Sequence, residues 1–208
     1  MPALPPTVFV VDDDAAVLKS LSRLLRSARL NVAAFGSPQE FLEQHDSHAP
    51  GCLVLDVAMP GLNGLELQAA LTEKGSAVPI VFLTGHGDIP MSVQAMKRGA
   101  LDFLTKPVND DDLLKAIRVA IAKDCVQRQQ RAEVAEIQQR LATLTPRERE
   151  VMEHVIAGQL NKQTAADLGT VEKTIKVHRA RVMEKMKVQS VAELVRLAER
   201  VGMGARGQ

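Results

Sequence analysis

The stretch TVFVVDDD (residues 7–14) carries the pattern that decides the fold. Its first five residues are apolar or β-branched without a polar break, which is typical of a strand buried on both faces of a parallel sheet. Three carboxylates follow at once. Because ligands of open parallel sheets bind beyond the carboxyl ends of the strands, these acids are candidates for a functional site.

Four more apolar runs follow, and segments with helical spacing separate them. The runs cover residues 31–35, 52–55, 80–83 and 100–104, and the helical segments cover residues 15–29, 38–45, 64–73, 90–98 and 110–122. Five such strand–helix units predict an α/β domain with a doubly wound five-stranded parallel sheet, assigned to residues 1–122.

The chain beyond this domain shows no strand pattern. Residues 110–144 contain neither Pro nor Gly, so the fifth helix can continue into a helical linker, assigned to residues 123–142. An apolar seam runs along the linker, formed by Val134, Ile137, Leu141 and Leu144. The seam either packs on a neighbouring domain or associates with a second copy of the chain.

Residues 143–208 are predicted to form an all-α domain of four helices. Thr145, with Glu148 three residues later, has the form of a capping box, and Asn161 and Ser190 can cap two further helices. A helix is predicted over residues 171–187.

Composition and charge exclude several classes of protein. Aromatic residues make up 2% of the chain and Trp and Tyr are absent, so binding of single-stranded nucleic acid on stacked bases is not expected. We find no secretory pattern and no apolar run near the ~18 residues of a membrane span, and the two cysteines lie far apart, which together favour the cytoplasm. The net charge of +1 averages an acidic part (residues 1–123, 11 basic and 14 acidic) and a basic part (15 basic and 11 acidic).

Polar side chains follow four of the predicted strands. Asp12 and Asp13 come after the first strand, Asp56 after the third, Thr84 after the fourth and Lys106 after the fifth. Neighbouring carboxylates repel each other unless a cation lies between them, and oxygen ligands of this kind suit Mg²⁺. A carboxylate can also accept a phosphoryl group, whose charge a lysine and a hydroxyl would help to neutralise. These residues therefore predict a Mg²⁺ site at which an aspartate is phosphorylated.

These motifs resemble the receiver domain of two-component response regulators. The resemblance spans residues 7–122 and rests on Val10-Val11-Asp12-Asp13, Leu55-Asp56, Met59-Pro60-Gly61, Leu83-Thr84-Gly85, Phe103 and Lys106-Pro107. Residues 84–91 are similar to the FixJ branch in particular.

The resemblance implies a role for each of these residues. Asp56 would be phosphorylated by a histidine kinase. The metal ligands would be Asp12 (through water), Asp13, Asp56 and the main-chain carbonyl of Ala58. Thr84, Lys106 and Phe103 would bind the phosphoryl group or report it, and the Lys106–Pro107 bond would be cis. Phe103 as an ordinary core residue remains an open alternative.

Residues 161–180 have the pattern of a helix, a tight turn at Gly169 and a second helix. On the second helix Lys173, Lys176 and Val177 lie opposite an apolar face, and a helix of this kind can enter the major groove of DNA. The segment resembles the LuxR/FixJ/NarL helix-turn-helix through residues 144–151, 161–162, 165–169 and 174–179.

This second resemblance implies that residues 171–187 form the recognition helix. Bases would be contacted by Lys176 and Val177, and phosphates by Lys162, Thr174 and Arg181, with Lys173 on the same exposed face. His178 and Arg179 are expected on the packed side, with Arg179 paired to Glu148 or Glu150.

One residue departs from the family pattern. Val171 stands where Ser or Thr usually begins the recognition helix, and a valine side chain cannot cap. Either Thr170 caps one residue early or the first turn is loose.

The sequence therefore predicts a DNA-binding response regulator rather than an enzyme. Phosphorylation of Asp56 would promote dimerisation and control promoter binding, with a lean toward activation through RNA polymerase. One alternative is a DNA-binding regulator that works without phosphorylation. Another is a phosphatase of the haloacid-dehalogenase type, but its DxDx[TV] pattern after the first strand is missing from Asp12-Asp13-Asp14-Ala15-Ala16.

Overall fold

The computed structural model describes residues 5–85 and 89–203. Residues 86–88, part of the FixJ-like run, lie outside the described residues. The chain divides into two compact units, Met1–Arg128 and Gln129–Gln208. The first unit therefore ends beyond the predicted receiver boundary at residue 122.

The first unit is built on a parallel sheet of five strands in the order β2-β1-β3-β4-β5. The strands are β1 (Thr7–Val11), β2 (Asn31–Phe35), β3 (Gly51–Asp56), β4 (Ile80–Thr84) and β5 (Asp102–Thr105). The helices are α1 (Ala15–Ser27), α2 (Pro38–Gln44), α3 (Gly64–Glu73), α4 (Ile89–Lys97) and α5 (Asp110–Ala142).

Cores on both faces of the sheet explain the uninterrupted apolar runs. Along β1, Phe9 and Val11 belong to one core and Val8 and Val10 to the other. Successive side chains of a strand point to opposite faces, so a strand covered on both sides has no solvent-facing position for a polar residue. The predicted fold class is confirmed.

Helix α5 is tied to the amino-terminal edge of the sheet beyond residue 122. The buried carboxylate of Asp124 accepts the N–H of Gly51 at 2.8 Å and Nε of Arg128 at 2.7 Å. The Arg128 guanidinium also donates to the main-chain carbonyls of His48 at 2.9 Å and Ala49 at 2.7 Å. These bonds hold α5 against the edge of the sheet beyond Ala120, its last buried apolar residue in the first unit.

The second unit is all-α. Its helices are the end of α5, α6 (Pro146–Ile156), α7 (Asn161–Asp167), α8 (Glu172–Met186) and α9 (Val191–Arg200). Ile137, Leu141 and Leu144 of the predicted seam are buried in its core, and Val134 is half-buried. The seam therefore packs within this unit, and those three side chains are not free to bind a second copy.

The capping predictions hold for α6 and α9 but not for α7, and at α8 only one of the two alternatives is excluded. Thr145 and Glu148 form the capping box, and Ser190 caps α9. Asn161 is the first residue of α7 rather than its cap, because its Oδ1 accepts a hydrogen bond from Arg179 instead. Val171 occupies the cap position of α8 without a side-chain hydrogen bond, so Thr170 does not cap early.

Candidate functional site

Strand register brings the acidic residues together. Because Val11 pairs with Leu55 across β1 and β3, the next residues along the two strands, Asp12 and Asp56, lie side by side. Asp12 and Asp56 are buried, Asp13 is exposed, and one carboxylate oxygen from each of the three lies within 4.8 Å of the others. Three carboxylates at this spacing can hold a cation.

Lys106 joins the cluster from the end of β5. Its Nζ lies 2.6 Å from Oδ2 of Asp12 and 3.0 Å from Oδ1 of Asp56. Burial acts to lower the pKa of Lys106, but hydrogen bonds to the two carboxylates outweigh burial and raise this pKa above 10.5. Burial also raises the pKa of Asp12 above 3.8, against the effect of its bonds to Lys106 and the Asp14 N–H. The lysine therefore stays charged between two acids.

Main-chain groups shape the wall next to Asp56. The N–H of Ala58 donates to Oδ2 of Asp56 at 3.0 Å, so Ala58 lies beside the carboxylate. The N–H of Gly64, at the start of α3, donates to the carbonyl of Val57 at 3.1 Å. A Cβ on Gly64 would lie 2.3 Å from the carbonyl oxygen of Asp56, so only glycine lets α3 approach this closely.

Thr84 and Phe103 lie on neighbouring strands at the same end of the sheet. Thr84 is fully buried and follows Leu83, the partner of Asp56 in the β3–β4 register. The Phe103 ring is half-buried, with its centroid 6.0 Å from that of Phe82. The peptide bond between Lys106 and Pro107 is cis, as the resemblance predicts.

Helix α8 presents two different faces. Ile175, Val182 and Met186 are buried in the core of the second unit. The opposite face is exposed and carries Lys173, Lys176, Val177 and Arg181. Thr174 is half-exposed on α8, and Lys162 is exposed on α7. The predicted DNA contacts are therefore all at least partly accessible.

Two basic side chains of α8 have partners on the protein itself. Lys176 Nζ pairs with Glu172 Oε1 at 3.0 Å, one turn earlier on α8. Arg179 is half-buried and structural as expected, but its partner is Asn161, at 3.1 Å, rather than Glu148 or Glu150.

Comparison with known proteins matches both units. Residues 8–118 match the model of the response regulator receiver domain, and residues 142–198 match that of the bacterial regulatory proteins of the luxR family. The chain belongs to the response regulators of the FixJ/NarL type.

Full-length relatives agree with this assignment. Nodulation protein W of Bradyrhizobium diazoefficiens is 48% identical over 198 residues, covering 95% of this chain and 87% of that protein. Transcriptional regulatory protein FixJ of the same species is 47% identical over 196 residues, covering 94% and 96%. The solved structure of response regulator StyR has a TM-score of 0.88 at 47% identity and covers 95% of this chain and 100% of that chain.

This response regulator is therefore a DNA-binding transcriptional regulator, and its family is one of transcriptional regulators rather than enzymes. The phosphatase alternative is wrong for that reason. A receiver domain implies a sensor kinase as partner, and the luxR-type domain implies DNA. The described residues include no helix that is both long enough and apolar enough to cross a membrane.

Sequence reasoning missed the ion pair between Glu148 and Lys185 in the response regulator. Glu148 is 2% exposed, and its Oε2 lies 2.6 Å from Nζ of Lys185. The sequence identified Glu148 as a capping residue and as one of two candidate partners for Arg179. It gave no signal for Lys185, which lies 37 residues away on another helix.

Proposed function

We propose that Asp56 is the phosphoacceptor of this response regulator. The observation that supports it is the buried cluster in which Asp56 lies against Lys106 and beside Asp12. A carboxylate oxygen of Asp56 attacks the phosphorus of a phosphohistidine. The phosphorus–nitrogen bond breaks as the new phosphorus–oxygen bond forms, and the imidazole leaves with the nitrogen's electron pair. The ammonium of Lys106 can then bind an oxygen of the phosphoryl group.

The donor set fits Mg²⁺. Asp12, Asp13 and Asp56 supply the hard oxygen ligands that this ion takes in proteins, and the exposure of Asp13 leaves room for water ligands. Ala58, whose N–H donates to the Asp56 carboxylate, would supply its main-chain carbonyl as a further ligand. When bound, Mg²⁺ neutralises charge on the transferring phosphoryl group.

A groove next to the cluster is the surface proposed for the histidine kinase. It has a volume of about 900 Å³ and lies between α1 and the loop after β5, with Lys106 and Pro107 in its lining. Lys106 belongs both to the groove lining and to the cluster, because its Nζ contacts Asp12 and Asp56, so the groove borders the cluster. A kinase domain bound there would bring its phosphohistidine to Asp56.

Phosphorylation is read out through Thr84, Phe103 and α4. The hydroxyl of Thr84 moves toward the phosphoryl group, and the Phe103 ring turns into the space that it leaves. The surface that responds includes α4, where Ile89, Val93 and Met96 are exposed by 79%, 45% and 45% on one side of the helix. Exposed apolar side chains in a row favour association with a second copy.

The dimer binds promoter DNA. Two recognition helices enter major grooves about 34 Å apart, one turn of the duplex. Lys176 and Val177 contact bases, while Lys162, Thr174 and Arg181 contact phosphates and Lys173 adds positive charge. The regulator acts in the cytoplasm, where its DNA lies, and activates transcription with RNA polymerase.

Intact mass measurement tests the phosphoacceptor. Incubation with acetyl phosphate and Mg²⁺ should add one phosphoryl group to the wild type and none to Asp56→Asn. The control is Asp14→Asn, because Asp14 is exposed next to the site and caps α1, a role that asparagine also fills. A mass gain that survives in Asp56→Asn refutes the assignment, and no gain in the wild type favours regulation without phosphorylation.

A further inference from the structure

A small cavity lies at the end of the sheet opposite to the aspartate cluster. It has a volume of about 180 Å³ and is bounded by α3, the loop before β4, the end of α4 and α5. The loop before β4 lies at the amino-terminal edge of the parallel sheet, whereas Asp12 and Asp56 lie at the carboxyl edge. This cavity is therefore separate from the phosphorylation site.

Two glutamines of the cavity lining have a buried amide oxygen for which the described residues supply no donor. Gln68 is 2% exposed, and its Nε2 donates to the carbonyl of Ala95 at 3.2 Å, which fixes the orientation of the amide. Its Oε1 is buried, and no described protein group donates to it. The Oε1 of Gln127, on α5, is also buried without a described donor. Buried acceptors cost folding free energy unless a donor is supplied, so a donor bound in the cavity would stabilise both oxygens.

The charged groups around the cavity have one sign. Arg98, directly after α4, and Lys123 from α5 line it, and both are exposed. None of the described residues in the lining is acidic. A bound molecule would therefore meet hydrogen-bond acceptors in Gln68 and Gln127 and positive charge in Arg98 and Lys123.

We propose that this cavity binds a small hydroxycarboxylate. Hydroxyl groups donate to the two amide oxygens, and the carboxylate meets Arg98 and Lys123. A neutral hydroxyl suits the cavity better than an ammonium group because both charged residues are cations. The volume limits the ligand to a few heavy atoms, below the usual size of drug-like sites. Because α5 forms part of the cavity, the ligand would stabilise this helix against the sheet.

Binding is tested on the ¹⁵N-labelled full-length protein. Glycerate supplies two hydroxyls and a carboxylate, propionate lacks the hydroxyls, and glycerol lacks the charge. We expect glycerate to shift the side-chain amide NMR signals of Gln68 and Gln127 saturably, and the other two compounds to leave them in place. Asp56→Asn should bind glycerate like the wild type, because the two sites are separate.

Variants decide whether the cavity is responsible. Gln68→Met keeps the length of the side chain and removes the acceptor, so glycerate should bind about tenfold more weakly than to Gln94→Met, which changes an exposed glutamine of α4. If Gln68→Met does not fold, exposed Lys123 provides the test, since Lys123→Gln should weaken binding severalfold relative to Lys115→Gln on the same helix.

Three results would overturn the proposal. The first is the absence of a saturable shift with glycerate, which would mean that water satisfies the two oxygens. The second is an equal response to propionate. The third is an equal loss of binding in Lys123→Gln and Lys115→Gln.

Discussion

Replacing Glu148 by glutamine should destabilise the DNA-binding unit. Hydrogen bonds from Lys185 and from the Thr145 N–H lower the pKa of Glu148 from 4.5 to about 2. Since one pKa unit is worth about 1.4 kcal/mol, this shift corresponds to about 3 kcal/mol in favour of folding at neutral pH. The loss of stability in Glu148→Gln should be smaller than this value for two reasons. Glutamine is neutral and avoids the cost of burying the charge of Glu148, and the partly exposed Lys185 can turn to water in the variant. We expect Glu148→Gln to lose about 2 kcal/mol at pH 7.

The pH dependence gives the sign of the effect. A carboxyl group whose pKa is lowered in the folded state contributes its full stabilisation above its unfolded value, here 4.5, and loses it as the pH falls toward about 2. The stability of the wild type should therefore approach that of Glu148→Gln over this range. Urea unfolding followed by NMR amide signals of α6 to α9 measures it, since the chain has neither Trp nor Tyr for fluorescence.

Glu150→Gln is the matched control. Glu150 lies on the same helix and pairs with Arg147 at 2.8 Å, but both side chains are exposed. An exposed pair is worth about 0–1 kcal/mol, so this change should have little effect at any pH. Equal stability of the wild type and Glu148→Gln at pH 7, or curves that stay parallel down to pH 3, would refute the reasoning.

Three further outcomes are expected. His45 is stacked on Phe41, and burial lowers its pKa below 6.5, so the free energy of unfolding should fall as the pH drops below about 6.5. Amide exchange of α2 measures this free energy, and a value that does not change with pH would contradict the prediction. Lys176→Ala should weaken binding to specific DNA about tenfold or more and Lys187→Ala much less, as measured by fluorescence anisotropy of labelled duplexes; equal losses would identify the wrong contact face. Gly64→Ala should cost about 1–3 kcal/mol in calorimetric unfolding, because its Cβ has no room; an unchanged melting temperature would show that α3 can shift freely.

The central strands were predictable because they are covered on both faces. The ends of β1 match the apolar run, since Val8 and Phe9 each face a core. The ends of β2 also match, although Ala34 on this edge strand is exposed. The run at 52–55 underestimates β3, which also includes Gly51 and Asp56. Glycine and aspartate do not fit the apolar pattern of a buried strand, yet both residues pair in the sheet.

Contacts between distant segments were not predictable in the same way. Arg179 was expected to bind an acid on α6, but it lies nearer to Asn161, and the charge pattern alone did not distinguish the two. Likewise, the two buried amide oxygens of Gln68 and Gln127 become neighbours of one cavity only through the fold. Local periodicity identifies which face of a helix is buried, whereas the partner on that face depends on packing.

The bonds of Asp124 and Arg128 determine where the receiver can be cut. A fragment that ends at residue 122 would lose the acceptor of the Gly51 N–H and the donors to the carbonyls of His48 and Ala49. Gly51 pairs with Thr7 in the sheet, and a Cβ there would lie 1.8 Å from the carbonyl oxygen of Thr7, so this strand end has no room for a side chain. An isolated receiver should therefore be expressed through Arg128, and a fusion partner attached after that residue leaves the sheet edge intact.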